Sequence, residues 1–188
     1  MRVVAGFVLI ALLLPIRAMA QGSAPFTRSE SPVSDAVRNV FTRESKNLIA
    51  SAELLPADRY GYHPTPAQMT FGQLMVHIVQ TNIAICGGIA EVPAPIQPMA
   101  LSKLSDAGGK DALVPLIRKS FDFCAAALAK VSDAQLADEA TSSGRQMGVS
   151  RAVALITIAT DWADHYSTAA TYLRLNDILP PSAPRPAK

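Results

Sequence analysis

The chain has 188 residues, of which 49% are hydrophobic and 17% are charged, and this balance excludes an intrinsically disordered protein. The formal net charge is only +2, which argues against a basic nucleic-acid-binding protein. Lys and Arg total 17 and Asp and Glu total 15, so removal of Arg2 and Arg17 leaves equal numbers of both signs. At this length we expect one domain with one hydrophobic core.

Residues 1–20 have the pattern of a secretory signal peptide. Arg2 precedes an apolar run from Val3 to Ile16, and residues 18–20 form the small-x-small sequence that signal peptidase accepts. The run is shorter than the roughly 20 residues that cross a bilayer, which disfavours a stable membrane anchor. We therefore predict cleavage before Gln21 and export to a periplasm or to the extracellular space.

The first two predicted helices follow a flexible lead-in at residues 21–31. A helix is predicted to begin at Pro32 after a Ser31 cap and to end before Pro56, since apolar residues recur at spacings of three and four. Thr70 and Gln73 have the spacing of a capping box, which predicts a second helix that runs to about residue 90.

Two more helices are predicted, from about Asp111 to Val131 and from a Ser150 cap to about Leu175. Residues 91–110 show no sustained period and are interpreted as a long connection, and residues 132–148 as a polar link. No alternating strand pattern of useful length is found. We predict an all-α four-helix bundle over residues 32–179, followed by a loose tail at residues 180–188.

The topology of the predicted bundle is constrained by its connections. A link of some twenty residues between the second and third helices suits a crossover, so these helices are predicted to be parallel, in up-down-down-up order. Cys86 and Cys124 would then lie at similar heights, within reach of a disulfide. Two buried free thiols remain the alternative. No C-x-x-C pair is present to indicate a redox role.

Three side chains with metal-ligating chemistry lie on the predicted inward faces. His77 is in the second helix, and Asp161 and His165 are four residues apart on one face of the fourth helix. Two imidazoles and one carboxylate leave a coordination position open, as in catalytic zinc and non-haem iron sites. The alternative is a hydrogen bond between Asp161 and His165, with His77 as a satisfied core residue.

Other candidate residues carry weaker signals. His63 lies in a proline-flanked loop and is interpreted as a surface residue that could line the mouth of a site. Asp164 is interpreted as a solvated neighbour of His165 rather than an outer base, and Tyr172 as a core residue. No serine-nucleophile motif, phosphate-binding glycine loop or basic aromatic patch is present.

The sequence resembles the DinB-like superfamily. The resemblance is carried by AELLPADRYGYHPTPAQMTFGQLMVHI (52–78), SFDFCAAALAKVSDAQL (120–136) and DHYSTAATYLRLNDILPPS (164–182). It implies a four-helix bundle with parallel second and third helices, which often forms homodimers. It also implies a metal, often zinc or nickel, held by one His of the second helix and two His of the last.

Residue by residue, His77 and His165 match this ligand pattern, whereas Asp161 stands where the family usually has His. A carboxylate can serve as an oxygen ligand, so zinc or nickel remain the first expectation and iron or manganese become possible choices. Some relatives are similar to thiol-dependent transferases or isomerases. The sequence thus leaves two hypotheses: a metal-dependent hydrolase or transferase acting on an unknown small molecule, and a non-catalytic binding or stress-related bundle.

Overall fold

The computed structural model of the protein describes residues 27–90, 92–142 and 145–184. Within these ranges it contains five α-helices, three short 3-10 helices and one two-stranded sheet. The bounds are α1 Pro32–Leu54, α2 Phe71–Ile89, α3 Pro98–Ser102, α4 Gly109–Leu128, β1 Glu139–Ser142, β2 Arg145–Ser150 and α5 Arg151–Leu175. The predicted third and fourth helices correspond to α4 and α5, and the predicted signal peptide lies outside the described residues.

The start of α1 is capped from a distant part of the chain. Ser31 occupies the predicted N-cap position, but its side chain makes no capping hydrogen bond. The carboxylate of Asp133 instead accepts hydrogen bonds from the backbone N–H groups of Val33 at 2.9 Å and Ser34 at 2.8 Å. Asp133 follows α4 closely, so this contact places the beginning of α1 beside the end of α4 and makes the two helices antiparallel.

Two cross-links show that α2 and α4 are parallel. Asn82 Nδ2 donates to Ser120 Oγ at 3.0 Å, and Cys86 forms a disulfide with Cys124, with their Cα atoms 5.2 Å apart. Both partners advance by four residues from the first link to the second, which requires the helices to run in the same direction. The predicted parallel pair and the predicted disulfide are both confirmed.

The last long helix, α5, is antiparallel to α2. Trp162 Nε1 donates to Asn82 Oδ1 at 2.7 Å, and ten residues later Tyr172 donates its hydroxyl hydrogen to the carbonyl oxygen of Met69 at 2.9 Å. As α5 advances, its partner in α2 therefore moves back toward the start of that helix. Together with the other pairs, this gives the predicted up-down-down-up bundle and confirms the all-α fold class.

The prediction of a polar link without strands over residues 132–148 is wrong. Strands β1 and β2 form an antiparallel hairpin, with Thr141 opposite Gln146. The hairpin packs on α2 at Gly88, where an added Cβ would lie 2.2 Å from Met147 Sδ and 3.7 Å from Ala140 Cβ. These short strands carry few β-favouring residues, so a sequence pattern does not reveal them. Their packing on α2 stabilises the hairpin.

The core lies between the four long helices. The largest fully buried side chains are Trp162, Phe71, Phe121, Leu48, Leu55, Met75, Ile78, Ile89, Leu113, Ile117, Leu128 and Leu155. Phe41 joins this core from α1, with its ring centroid 5.2 Å from that of Trp162. Within the described ranges, none of the helices combines the length and the apolar character needed to cross a membrane.

Candidate metal centre

The position of His77 is set by the capping box that begins α2. Thr70 Oγ1 accepts from the Gln73 N–H at 3.0 Å, and Gln73 Oε1 accepts from the Thr70 N–H at 2.9 Å. This reciprocal pair satisfies two donors of the first turn and fixes where the helix begins. His77 lies about two turns later, half-buried, on the side of α2 that faces α5.

Asp161 and His165 project from the middle of α5. The hydroxyl of Ser150 accepts from the Val153 N–H at 3.4 Å, which confirms the predicted cap at the start of this helix. Asp161 and His165 are one turn apart and therefore lie on the same face. Trp162, next to Asp161 in the sequence, is fully buried and holds this part of the helix against α2.

The structure brings His77, Asp161 and His165 together. The imidazole centroids of His77 and His165 are 4.8 Å apart, and the rings are inclined at 76°. His165 Nε2 lies 3.2 Å from Asp161 Oδ1. One ligand atom from each of the three side chains lies within 4.8 Å of the other two, so all three are arranged around one point.

The pair formed by Asp161 and His165 is close but incompletely satisfied. Asp161 Oδ2 and His165 Nε2 are fully buried atoms with no hydrogen-bond partner among the described residues. The two side chains are only 22% and 12% exposed, so water reaches them poorly. Unpartnered buried polar atoms are rare and costly. This finding disfavours the alternative of a simple hydrogen-bonded pair, and the donor set of two imidazoles and one carboxylate fits a divalent ion.

The other candidate residues lie outside this cluster. His63 is exposed, and its Nδ1 lies 2.7 Å from the carbonyl oxygen of Thr65. The side chain of Asp164 is 81% exposed, with Oδ2 4.0 Å from His165 Nδ1, as expected of a solvated neighbour. Tyr172 is a buried core residue, and burial together with the neighbouring Tyr62 raises the pKa of its hydroxyl.

Two residues near the cluster, Asn82 and Asp106, were not predicted from the sequence. Asn82, which links α2 to both α4 and α5, is a polar residue at a position where the helical period requires an apolar one, and this mismatch is the signal that could have identified it. Asp106 lies in the connection between α2 and α4, against the start of α2, where its carboxylate accepts from Thr70 Oγ1 at 3.0 Å. The connection offered no periodic signal.

Comparison with known proteins supports the same architecture. A family model described as the DinB superfamily matches residues 41–169. A DinB-like protein of Bacillus cereus is 17% identical with a TM-score of 0.58, and the match covers 80% of this chain and 97% of that protein. A DinB-like protein of Bacillus subtilis is 19% identical with a TM-score of 0.59, and the match covers 80% and 96%.

A mycothiol-dependent maleylpyruvate isomerase has the same fold over part of its length. It is 19% identical with a TM-score of 0.54, and the match covers 71% of this chain and 59% of the isomerase. None of the curated protein sequences matches the chain. At these levels of identity the solved structures establish the shared fold.

Proposed function

Because the chain belongs to the DinB superfamily, we propose that it is a metal-dependent hydrolase or transferase in which His77, Asp161 and His165 hold one divalent ion. The observation that carries this proposal is the pair of buried atoms without a hydrogen bond, Asp161 Oδ2 and His165 Nε2. They lie in a cluster where three ligand atoms are within 4.8 Å of one another. A cation is the partner that satisfies both a carboxylate oxygen and an imidazole nitrogen at once.

The chemistry of the three side chains indicates the type of site. Three protein ligands leave at least one coordination position for water or substrate, whereas structural zinc sites are usually closed by four. When bound, a divalent ion would supply a Lewis acid that lowers the pKa of a coordinated water or thiol. Asp161 contributes the one negative charge and a harder oxygen donor, so zinc or nickel are the first candidates and iron or manganese the second.

The reacting molecule is proposed to be a small molecule. The similar isomerase is named as mycothiol-dependent, which makes a small thiol one reactant to test. Water is the other, because an open position beside a carboxylate and two imidazoles suits metal-assisted hydrolysis equally well. Assays with and without a low-molecular-weight thiol would separate transfer from hydrolysis.

Metal content tests the proposal directly. We would purify the protein from Gln21 onward without a polyhistidine tag and measure its bound metals by mass spectrometry. About one ion per chain is expected, with large losses in His77→Ala and Asp161→Ala. His63→Ala is the matched control, because His63 is exposed and outside the cluster, and it should keep the ion. If the parent protein is purified without metal and binds no added metal under mild conditions, the result would favour a non-catalytic bundle.

Export and pairing are further parts of the proposal. The buried disulfide between Cys86 and Cys124 supports an oxidising compartment, as does the signal-peptide pattern of residues 1–20. Cell fractionation, with mass spectrometry of the new N-terminus, should find the protein in the periplasm or medium and beginning at Gln21. Light scattering on the purified protein should show whether it forms the homodimer that the family resemblance implies.

A further inference from the structure

A cavity opens beside His77, between the first half of α2 and the connection that follows α3. Its volume is about 390 Å³, enough for a small organic molecule. The lining residues are Met69, Gln73, Val76, His77, Gln80, Leu104, Ser105 and Asp106. Since His77 also faces His165, one wall of the cavity belongs to the candidate metal centre.

The lining of the cavity carries one negative charge. Asp106 is the one acidic residue in the lining, which contains no Lys or Arg. Its Oδ2 accepts from Thr70 Oγ1 at 3.0 Å. A carboxylate offers about four lone-pair sites, so this one hydrogen bond leaves acceptor capacity for a ligand.

Asp106 is held in place by its close approach to α2. A Cβ added at Gly72 would lie 2.9 Å from Asp106 Cβ, a separation that real Cβ atoms essentially never show. Glycine at this position therefore allows Asp106 to pack directly on the first turn of the helix. The carboxylate is half-buried there, so an opposite charge beside it is screened less than it would be on an open surface.

The two ends of the cavity are separated by a length that can be read from the helix. Asp106 contacts Thr70 and Gly72, which precede His77 by seven and five residues, and at 1.5 Å per residue the separation along α2 is about 8 to 10 Å. Val76 and Leu104 contribute apolar side chains to the lining. A linear molecule of this length with a short hydrocarbon middle matches the cavity.

We propose that this cavity binds a small zwitterion, with its cationic amine on Asp106 and its anionic end beside His77. The anionic end rests on the proposed function, because an ion held by His77, Asp161 and His165 is what would attract it. The amine end rests on Asp106 alone. The substrate class is therefore a short amino acid or aminothiol whose charged groups lie at opposite ends.

Calorimetric titration of the metal-loaded protein tests the proposal. The probe is 6-aminohexanoate, whose extended length matches the span, and hexanoate is the matched ligand without the amine. We expect 6-aminohexanoate to bind at least tenfold more tightly than hexanoate. Asp106→Asn should abolish this preference without changing the affinity for hexanoate or for the metal. Equal binding of the two ligands by the parent, or a preference that survives in Asp106→Asn, would overturn the proposal.

A control variant separates the local charge from the overall charge. Asp111→Asn removes one exposed carboxylate from the first turn of α4, outside the cavity, and should keep the preference. Circular dichroism would verify that both variants fold.

If the protein takes up no metal, the proposed function fails separately, and hexylamine then probes the Asp106 end of the metal-free protein. Binding that only Asp106→Asn abolishes would support the amine site, and absence of binding would overturn it.

Discussion

Trp162 Nε1 donates a hydrogen bond to Asn82 Oδ1 at 2.7 Å, inside the core of the bundle. Trp162 is adjacent in sequence to Asp161, and Asn82 is five residues beyond His77. The bond therefore sets the relative position of α2 and α5 at the level of the candidate metal centre. Asn82 also donates to Ser120, so one buried amide connects three helices.

Replacement of Trp162 by Phe should weaken both the fold and the metal centre. The variant keeps an aromatic ring to pack against Phe41 but leaves Asn82 Oδ1 buried without its donor. We expect the free energy of unfolding to fall by about 1 to 3 kcal/mol. The metal affinity should also fall, although all three ligands remain. Urea unfolding and metal titration measure the two effects.

Tyr166→Phe is the matched control for this variant. It removes an aromatic hydrogen-bonding group from the same helix, but its partner Ser182 lies at the exposed surface. Its free energy of unfolding should change by less than about 0.5 kcal/mol. Equal effects of the two substitutions would mean that the buried bond has no special role in placing α5.

The long helices could be predicted from the sequence because their signals are local. The Thr70 and Gln73 capping box and the Ser150 cap are read from short spacings, and both are present in the structure. The order of the helices followed from the length of the link between the second and third predicted helices and from the positions of Cys86 and Cys124. The part of Asp133 in capping α1 could not be predicted, because Asp133 is about one hundred residues away from Val33 and reaches it only in the folded protein.

The hairpin of β1 and β2 was not predicted because it also depends on contacts that exist only in the folded protein. Its contact with Gly88 of α2 is one of them. Met147 Sδ would lie 2.2 Å from a Cβ added at Gly88, so Gly88→Ala should force this flexible side chain to move, and the cost should offset most of the roughly 1 kcal/mol that alanine gains over glycine in a helix. In a Met147→Ala background the clash is gone, and the same substitution should stabilise the protein by about 1 kcal/mol. A double-mutant cycle measured by urea unfolding tests this coupling, and additive effects of the two changes would contradict it.

The disulfide between Cys86 and Cys124 should contribute strongly to stability. It closes a loop with a sequence separation of 38 residues, for which loop entropy predicts a contribution of about 4 kcal/mol. The double variant Cys86→Ala and Cys124→Ala should therefore unfold at much lower urea concentration. A reducing agent should destabilise the parent under unfolding conditions and leave the double variant unaffected. An unchanged urea midpoint in the double variant would disprove this contribution.

The cap formed by Asp133 should make stability depend on acid pH. Burial alone would raise the pKa of Asp133, but hydrogen bonds from Val33 and Ser34 and the nearby charge of Arg38 together lower it below its ordinary value of 3.8. The folded state therefore favours the ionised form. The stabilisation is complete above about pH 5 and is lost as the pH falls below 3.8, through the folded pKa.

Asp133→Asn should lower the urea midpoint at pH 7, and its difference from the parent should shrink as the pH falls toward 3. Asp122→Asn is the control, because Asp122 is an exposed residue on α4. It should change the midpoint little at any pH. A parent and an Asp133→Asn variant that differ by the same amount at pH 7 and pH 3 would show that charge has no part in the cap.

Only those residues of the candidate metal centre whose positions follow from helical spacing could be predicted from the sequence. Asp161 and His165 share a face by their spacing of four, and His77 lies on the inward stripe of α2. The position of Asp106 could not be predicted, because this residue lies in an irregular connection and reaches the region by packing on Gly72. Contacts made by loops depend on the completed fold, so a single sequence does not encode them locally.

In the absence of metal, the buried ligand atoms of the candidate metal centre should destabilise the protein. Asp161 Oδ2 has no hydrogen-bond partner, and His165 Nε2 has none although it lies 3.2 Å from Asp161 Oδ1, so Asp161→Ala in the presence of a chelator should leave the free energy of unfolding unchanged or raise it. With free metal at a hundredfold excess over Kd, the parent should gain about 2.7 kcal/mol and Asp161→Ala nothing. His63→Ala should gain as much as the parent, since this exposed ring lies outside the cluster. Urea unfolding in both conditions measures these differences, and a loss above about 1 kcal/mol in metal-free Asp161→Ala would mark Asp161 as structural.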